Sequence, residues 1–510
     1  MSGFVSHFTV LDGGIVGFYL LATMVAGIMV RKYVGGVEDF LVAGREMNVY
    51  LGIASLAATE FGIVTCMYSS QAGYKYGFAG AFPGIVNFLA MLVVGWTGFC
   101  VKPLRDSNVI TIPELLDKRF GPRVRWATGV VIVLGGLLNM GVFLRVGGQF
   151  LISVTGLEAI NLGTGVLEHY KLEIMMTVLL VGVATYTVLG GMLSVLVTDF
   201  LQFVVMSAGL LIVTVMILWQ IGWTKLVGTV DEHFGAAGFN PLLNPKLGWD
   251  FVVFNMFLNT ASVLTWQTAI ARVLAAKDTD TGRNVYTRTS FFFLCRWIIP
   301  VLWGIAALSM FPGLTGPEET LQAMPRFLST FLPMGIMGIL VAAMLAADMS
   351  TDSSYMLTWG GVIYNDVLAP FRRGQRWSER KGLFWNRSIV AMIGVFLLFY
   401  GLWYPLKGDL WSYLAVTGSI YLASISTLLI ACCYWSRANN WGATAAICVG
   451  ALIPVSFLVA EQLPLTKDLA KSIGPNYAGI AAYLFTGLAM VVGSLLKPQS
   501  APQQEESLPC

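Results

Sequence analysis

Apolar runs close to the ~20 residues that cross hydrocarbon recur along the whole chain, separated by turn residues or charge. They predict thirteen membrane spans, at approximately 10–31, 49–70, 77–101, 126–153, 172–190, 193–222, 250–271, 289–312, 328–360, 386–404, 409–434, 441–461 and 477–497. The most polar interruption is Ala346-Ala347-Asp348-Met349-Ser350-Thr351-Asp352-Ser353-Ser354, inside the apolar run from Met334 to Trp359. Polar groups at that depth are costly and mark function. At about 100° per residue, Ala347, Ser350 and Ser354 share one helix face with Ser353 on its edge, whereas Asp348 and Asp352 point nearly the opposite way. Clustered hydroxyls suit a small hard cation such as Na⁺.

Two spans read as interrupted. The second carries Thr59, Glu60, Gly62 and Thr65, and the seventh carries Asn255, Asn259, Thr260, Thr265, Trp266 and Gln267. Unwound backbone at membrane depth is tolerated where it lines a cavity, and broken helices five spans apart suggest two inverted repeats. A bundle with scattered polar packing residues gives the same hydropathy. On the repeat reading, residues 1–48 form an extra helix and inner loop, and 49–435 a core of repeats 49–222 and 250–435. Two further helices occupy 436–497, and 498–510 is a polar, disordered tail.

Composition fits this pattern: 56% hydrophobic and 12% charged residues, against roughly 45–50% apolar in soluble domains. Lysine and arginine set the orientation, because they accumulate on the cytoplasmic side. An outside N-terminus gives the inner loops roughly 21 of them, including Arg31, Lys32, Arg272 and Lys277, and the outer loops roughly eight, including Lys75, Lys246 and Lys407. The expected location is therefore the cell (inner) membrane, with the C-terminus cytoplasmic. The first span lacks a basic leader and is followed by Arg31-Lys32, so it reads as an anchor rather than a signal peptide. The seven cysteines show no paired or metal-ligand spacing. No nucleotide loop, zinc signature or nucleophile elbow occurs, and His7, His169 and His233 lie outside the spans or at their edges. An enzyme, an organic cofactor and a nucleic-acid partner are not expected. A membrane sensor is disfavoured because no folded segment follows the last span.

Four segments carry a family resemblance: Phe40-Leu-Val-Ala-Gly-Arg45, the run from Tyr186 to Gln202, Arg272-Val-Leu-Ala-Ala-Lys-Asp278, and Ala346 to Ser354. Tyr434-Trp435-Ser436-Arg437, followed by Gly442-Ala443, adds a fifth. From about Phe40 onward the chain resembles the sodium:solute symporter family. The resemblance implies an all-α polytopic protein with a LeuT-like five-plus-five inverted repeat, importing a small solute with Na⁺ by alternating access across the lipid bilayer. It also implies a first sodium site at the carbonyls of Ala58, Phe61 and Ala347 and the hydroxyls of Ser350 and Thr351. The alternative is that the two hydroxyls bond back to their own helix. Some members bind a second sodium, and here Asp199 stands in that position, with Ser350, Ser353 and Ser354 as neutral co-ligands. The competing reading is an Asp199 that pairs with an inner-loop arginine or is protonated in a structural role. Asp348 and Asp352 depart from the small or apolar residues usual in the family; pointing away from the sodium face, they are expected to salt-bridge within the bundle and are not assigned as ligands.

On the solute side, Glu60 sits between two of the carbonyl donors, where proline-type members also have an acid. Arg145 aligns approximately with a position where sialic-acid carriers hold a carboxylate, and arginine suits that task as a bidentate donor. Its alternative is snorkelling to the interface. Trp266 and Gln267 match positions that line the family's cavity. Ala415 replaces the glutamine of sugar-type members. Glu60 with Arg145 favours an amino acid or other zwitterion or carboxylate; the alternative is a sugar or polyol. Arg296 has no legible role.

Overall fold

Apolar segments in lipid become helices because each backbone N–H and C=O must be satisfied within the segment. The computed structural model describes residues 7–157, 169–368, 370–372, 377–404 and 409–498, so the expected disordered tail lies almost wholly outside the described residues. The main helices are α1 (Val10–Val30), α2 (Val49–Thr59), α3 (Ile63–Tyr76), α4 (Phe82–Thr97), α5 (Pro122–Met140), α6 (Phe143–Thr155) and α7 (Lys171–Gln220). They continue as α8 (Gly248–Thr265), α9 (Gln267–Ala275), α10 (Thr279–Met310), α11 (Ile336–Val362), α12 (Glu379–Trp403), α13 (Leu410–Tyr434), α14 (Asn440–Gln462) and α15 (Lys467–Leu496). Side-chain caps start several of them: Asn48 accepts the Leu51 N–H and Asp278 the Thr281 N–H, satisfying donors a first turn leaves free.

Both expected interruptions are present. Glu60 (φ −87°, ψ 1°) and Gly62 (φ −97°, ψ 173°) separate α2 from α3. Trp266 (φ −64°, ψ 117°) separates α8 from α9. The only extended pairing among the described residues, a bridge between Met47 and Ala276, joins the segment before α2 to the segment after α9.

Ten helical runs among the described residues are long and apolar enough to cross a membrane, fewer than the thirteen expected spans. The difference has local causes. Spans five and six form one run, α7, that bends at Gly191 (φ 56°, ψ −149°). A Cβ at Gly191 would also lie 2.5 Å from the Phe40 ring. Spans two and seven are split by their breaks. Two boundaries also move. The eighth span was expected from 289, but Asp278 caps a helix that begins at Thr279. The ninth was expected from 328, but Ala323–Phe331 is a separate helix, ended before Pro333 and Gly335 (φ 83°).

The α11 helix lies at the centre, with every residue from Leu340 to Leu357 buried. Its first turn is closed by Asp12 of α1, whose Oδ1 accepts the N–H groups of Gly335 and Gly338 at 2.7 Å each. Between α3 and α10 the backbones approach through glycine: a Cβ on Gly304 would stand 1.9 Å from the Ser70 carbonyl oxygen, and one on Gly73 2.2 Å from that of Val301. The obstructing atoms are backbone and cannot rotate away. Gly304→Ala is therefore expected to destabilise the protein by about 1–3 kcal/mol through forced overpacking. A melting temperature equal to wild type would show that the two helices are not this close.

Candidate ion and solute site

The α2–α3 break meets α11 at the Thr351 hydroxyl. Thr351 Oγ1 lies 2.8 Å from the Thr59 carbonyl oxygen and 3.0 Å from that of Ala347. A Cβ on Gly62 would come within 2.8 Å of the same hydroxyl, so glycine lets the turn approach α11. Ala58 and Phe61 belong to this turn, where the Phe61 N–H reaches back to Ala58 O at 3.4 Å. Four of the five residues expected for a first sodium are thus brought to one turn contact. The fifth, Ser350, donates its hydroxyl to Asp199 Oδ1 at 2.6 Å. Among the described residues no three His, Cys, Asp or Glu side chains cluster as metal ligands, and the neutral oxygens here suit a monovalent hard cation.

The residues expected for a second sodium hold a different cation. Arg272 of α9 forms a fully buried ion pair with Asp199 of α7, Nη2 to Oδ2 at 3.1 Å. The same Nη2 donates to Thr59 Oγ1 (2.7 Å) and Ser354 Oγ (2.6 Å), and Nε donates to Ser55 Oγ (3.0 Å). Ser55 in turn donates to Asp199 at 2.5 Å. The guanidinium therefore occupies oxygens of Asp199 and Ser354 that the expected second ion would use. Ser353 is not in the network: its hydroxyl turns back to Ser350 O at 3.1 Å. The alternative, an Asp199 paired with an arginine of the inner-loop set, is the one the geometry realises.

A cavity enclosing about 710 Å³ of empty space, open solvent included, lies beside the two breaks. Glu60 and Trp266 line it. Glu60 does not stand free, because Arg296 of α10 donates to its Oε2 at 3.1 Å and Thr268 to its Oε1 at 2.5 Å. Trp266 donates from Nε1 to the Tyr355 hydroxyl at 3.0 Å. Arg145 is not among the lining residues; its Nη1 donates to Gly401 O at 3.1 Å, so the expected Glu60–Arg145 combination does not form. Gln267 also misses this cavity and instead lines a small space beside Leu41, Thr111 and Thr358. Arg296, Asn139 and Tyr355 are walls that sequence depth alone did not single out. The usable signal was an arginine well inside an apolar span, which needs a nearby partner.

The alignment decides the relationship: residues 40–450 match the sodium:solute symporter family. The chain belongs to that family. The symporter is 25% identical to the sodium/mannose cotransporter SLC5A10 of Bos taurus over 98% of this chain and 89% of that one. It is 26% identical to the sodium/myo-inositol cotransporter of Canis lupus familiaris, covering 97% and 74% of the two chains. With the sodium/glucose cotransporter 4 of Danio rerio the identity is 23%, over 95% and 77%. A substrate-bound, outward-open Na⁺-coupled sialic acid symporter superposes with a TM-score of 0.76 at 18% identity, covering 97% of this chain and 99% of that chain. MhsT in complex with L-phenylalanine superposes at 0.53 and 13% identity, covering 88% and 98%. These neighbours show a LeuT-like fold, as the paired broken helices imply.

An aromatic layer separates the symporter's cavity from a second space. Tyr68, Trp297 and Trp411 pack with ring centroids 5.0–5.1 Å apart. Tyr68, Trp411 and Ala415 face both the cavity and a vestibule that also contains Lys246 and Asp409. The Asp199–Arg272 network lies on the other side of the breaks, so the cavity sits between an aromatic barrier and an ionic one.

Proposed function

We propose that this symporter couples Na⁺ to the import of a polyhydroxylated solute, a sugar or a polyol. The observation that carries the reading is the Glu60–Arg296 ion pair, which cancels the charges that would otherwise seize a zwitterion. The remaining walls include the amides Asn87, Asn139 and Asn259, which both donate and accept, and the rings of Trp266 and Trp411. Amides beside aromatic faces match the hydroxyl edge and C–H face of a pyranose or cyclitol. The curated relatives named above carry mannose, myo-inositol and glucose, which supports the same class.

Sodium takes the carbonyls of Ala58, Phe61 and Ala347 and the hydroxyl of Thr351, with Ser350 joining when it leaves Asp199. The ion then links the α2–α3 turn to α11. Such a link favours one arrangement of those elements only by its differential affinity, and the solute, bound on the other side of the same turn, shares that preference. Each ligand therefore tightens the other. With the lysine and arginine bias setting orientation, the vestibule faces outside and Arg272 faces the cytoplasm.

A thermal-shift screen of the purified protein tests this. Sugars or polyols at about 100 times their Kd are expected to add about 2.7 kcal/mol of stability in Na⁺ and much less in K⁺. Stabilisation by amino acids but by no sugar or polyol would reverse the assignment.

A further inference from the structure

We propose that Asp348 receives an ammonium group of the solute, so that the preferred substrate is a hydroxylated amine such as an amino sugar or amino polyol. This rests on the sugar or polyol reading above and narrows it.

Eight Asp, Glu or Arg residues are buried among the described residues: Asp12, Glu60, Arg105, Asp199, Arg272, Asp348, Asp352 and Asp366. Six have charged or multiple polar partners. Asp12 accepts backbone N–H groups, Arg105 donates to the carbonyls of Ala276 and Lys277, Asp366 pairs with Arg125, and the other three form the Glu60–Arg296 and Asp199–Arg272 pairs. Asp348 and Asp352 are the exceptions. Neither forms an ion pair among the described residues, and Asp352, 2% exposed, leaves Oδ1 with no hydrogen-bond partner. Burying carboxylates without a counter-charge is costly, and the two stand one helical turn apart.

The compensating charge has one route in. Asp348 lines the solute cavity, whereas Asp352 is not among its lining residues. In that cavity Glu60 and Arg296 cancel, so a cationic group on the solute is what would let Asp348 carry its charge there. A second sodium fits poorly. The hydroxyls of Ser350 and Ser354 are on the opposite face with Asp199 and Arg272, and a backbone group that meets the Asp348 carboxylate is a donor, the Ile63 N–H. On its other side the carboxylate rests against Gly147, where a Cβ would lie 3.0 Å from Oδ2. An acceptor-only group beside a donor-rich ligand is the complementary arrangement, and an ammonium supplies both the donors and the charge. The rings of Tyr68, Trp266, Tyr355 and Trp411 around the same space attract a cation over their faces. A hydroxyl alone would satisfy the lone pairs of Asp348 but leave its charge buried.

The experiment compares glucosamine, mannosamine and 1-amino-1-deoxysorbitol with glucose, mannose and sorbitol, by thermal shift and competition uptake in Na⁺. At least one amine is expected to bind about tenfold or more tightly than its neutral counterpart, the range for a hydrogen bond to a charged group. In Asp348→Asn, which keeps the shape of the side chain, that preference for the amine over its neutral counterpart disappears. The rank order of solutes on wild-type protein is itself a test, so a poorly folding variant leaves the proposal open to refutation. Neutral sugars binding as tightly as amines would remove the role of Asp348 and leave the sugar or polyol assignment standing. Failure of every hydroxylated solute to bind would take both down.

Discussion

Replacing Arg272 by methionine is expected to destabilise the protein by about 3–5 kcal/mol, the cost of leaving one member of a buried ion pair without the other. Asp199 would remain fully buried with a charge answered by neutral donors alone, chiefly the hydroxyls of Ser350 and Ser55. The loss is larger than that of a single contact because the guanidinium also serves Ser55, Thr59 and Ser354, which belong to α2 and α11. Four elements, α2, α7, α9 and α11, converge on one cation. The double variant Arg272→Met/Asp199→Leu removes both charges and is expected to recover most of the stability, since apolar replacement of a buried pair is often neutral. It is not expected to recover transport, because the link that the pair makes between α7 and α9 is absent in both. Melting temperatures of the single and double variants, together with Na⁺-driven uptake in vesicles, check the two parts separately. A single variant within 1 kcal/mol of wild type would mean that solvent or another cation already reaches Asp199.

How much of the molecule is legible in its amino-acid sequence depends on how far apart the interacting groups lie along the chain. The breaks at Glu60–Gly62 and at Trp266 were legible because polar residues and glycine at membrane depth are local signals. The separation of polar faces on α11 was legible too, because helical geometry fixes it: Ser350 and Ser354 meet the Asp199–Arg272 pair, while Asp348 faces the cavity and Gly147. Pairing across the bundle was not. Glu60 and Arg296 are 236 residues apart, and nothing local in either segment shows that they meet. Arg145 and Arg296 both sit inside apolar spans, yet only helix rotation decides which one turns to the cavity and which to the Gly401 carbonyl. That difference moved the expected solute from a zwitterion towards a polyhydroxylated molecule. Asp199 was read as an ion ligand for the same reason, since its partner comes from a different span.

Thr351→Ala is expected to raise the Na⁺ concentration for half-maximal transport by about tenfold or more, while leaving most of the protein's stability in place. The hydroxyl reaches two carbonyl oxygens, Thr59 O at 2.8 Å and Ala347 O at 3.0 Å, so without Na⁺ it contributes only about 1 kcal/mol. When Na⁺ occupies the turn, the same oxygen becomes one of five ligands to a cation, and interactions with a charged group are worth about 1.5–3 kcal/mol, roughly 10- to 100-fold in affinity. The asymmetry gives the variant a signature: a small fall in melting temperature in K⁺, a large fall in the stabilisation that Na⁺ adds, and a solute affinity that weakens in step through linkage. Ser350→Ala separates the two networks. Its hydroxyl is bonded to Asp199 in this conformation, so its loss is expected to lower stability more and sodium affinity less than the loss of Thr351. Ser353→Ala, whose hydroxyl donates to the Ser350 carbonyl of its own helix and stays outside the Asp199–Arg272 pair, is expected to change neither by much. If Ser353→Ala shifts the Na⁺ dependence and Thr351→Ala does not, the ion sits on the Asp199 side of α11 after all, and Arg272 must leave the pair for it to bind.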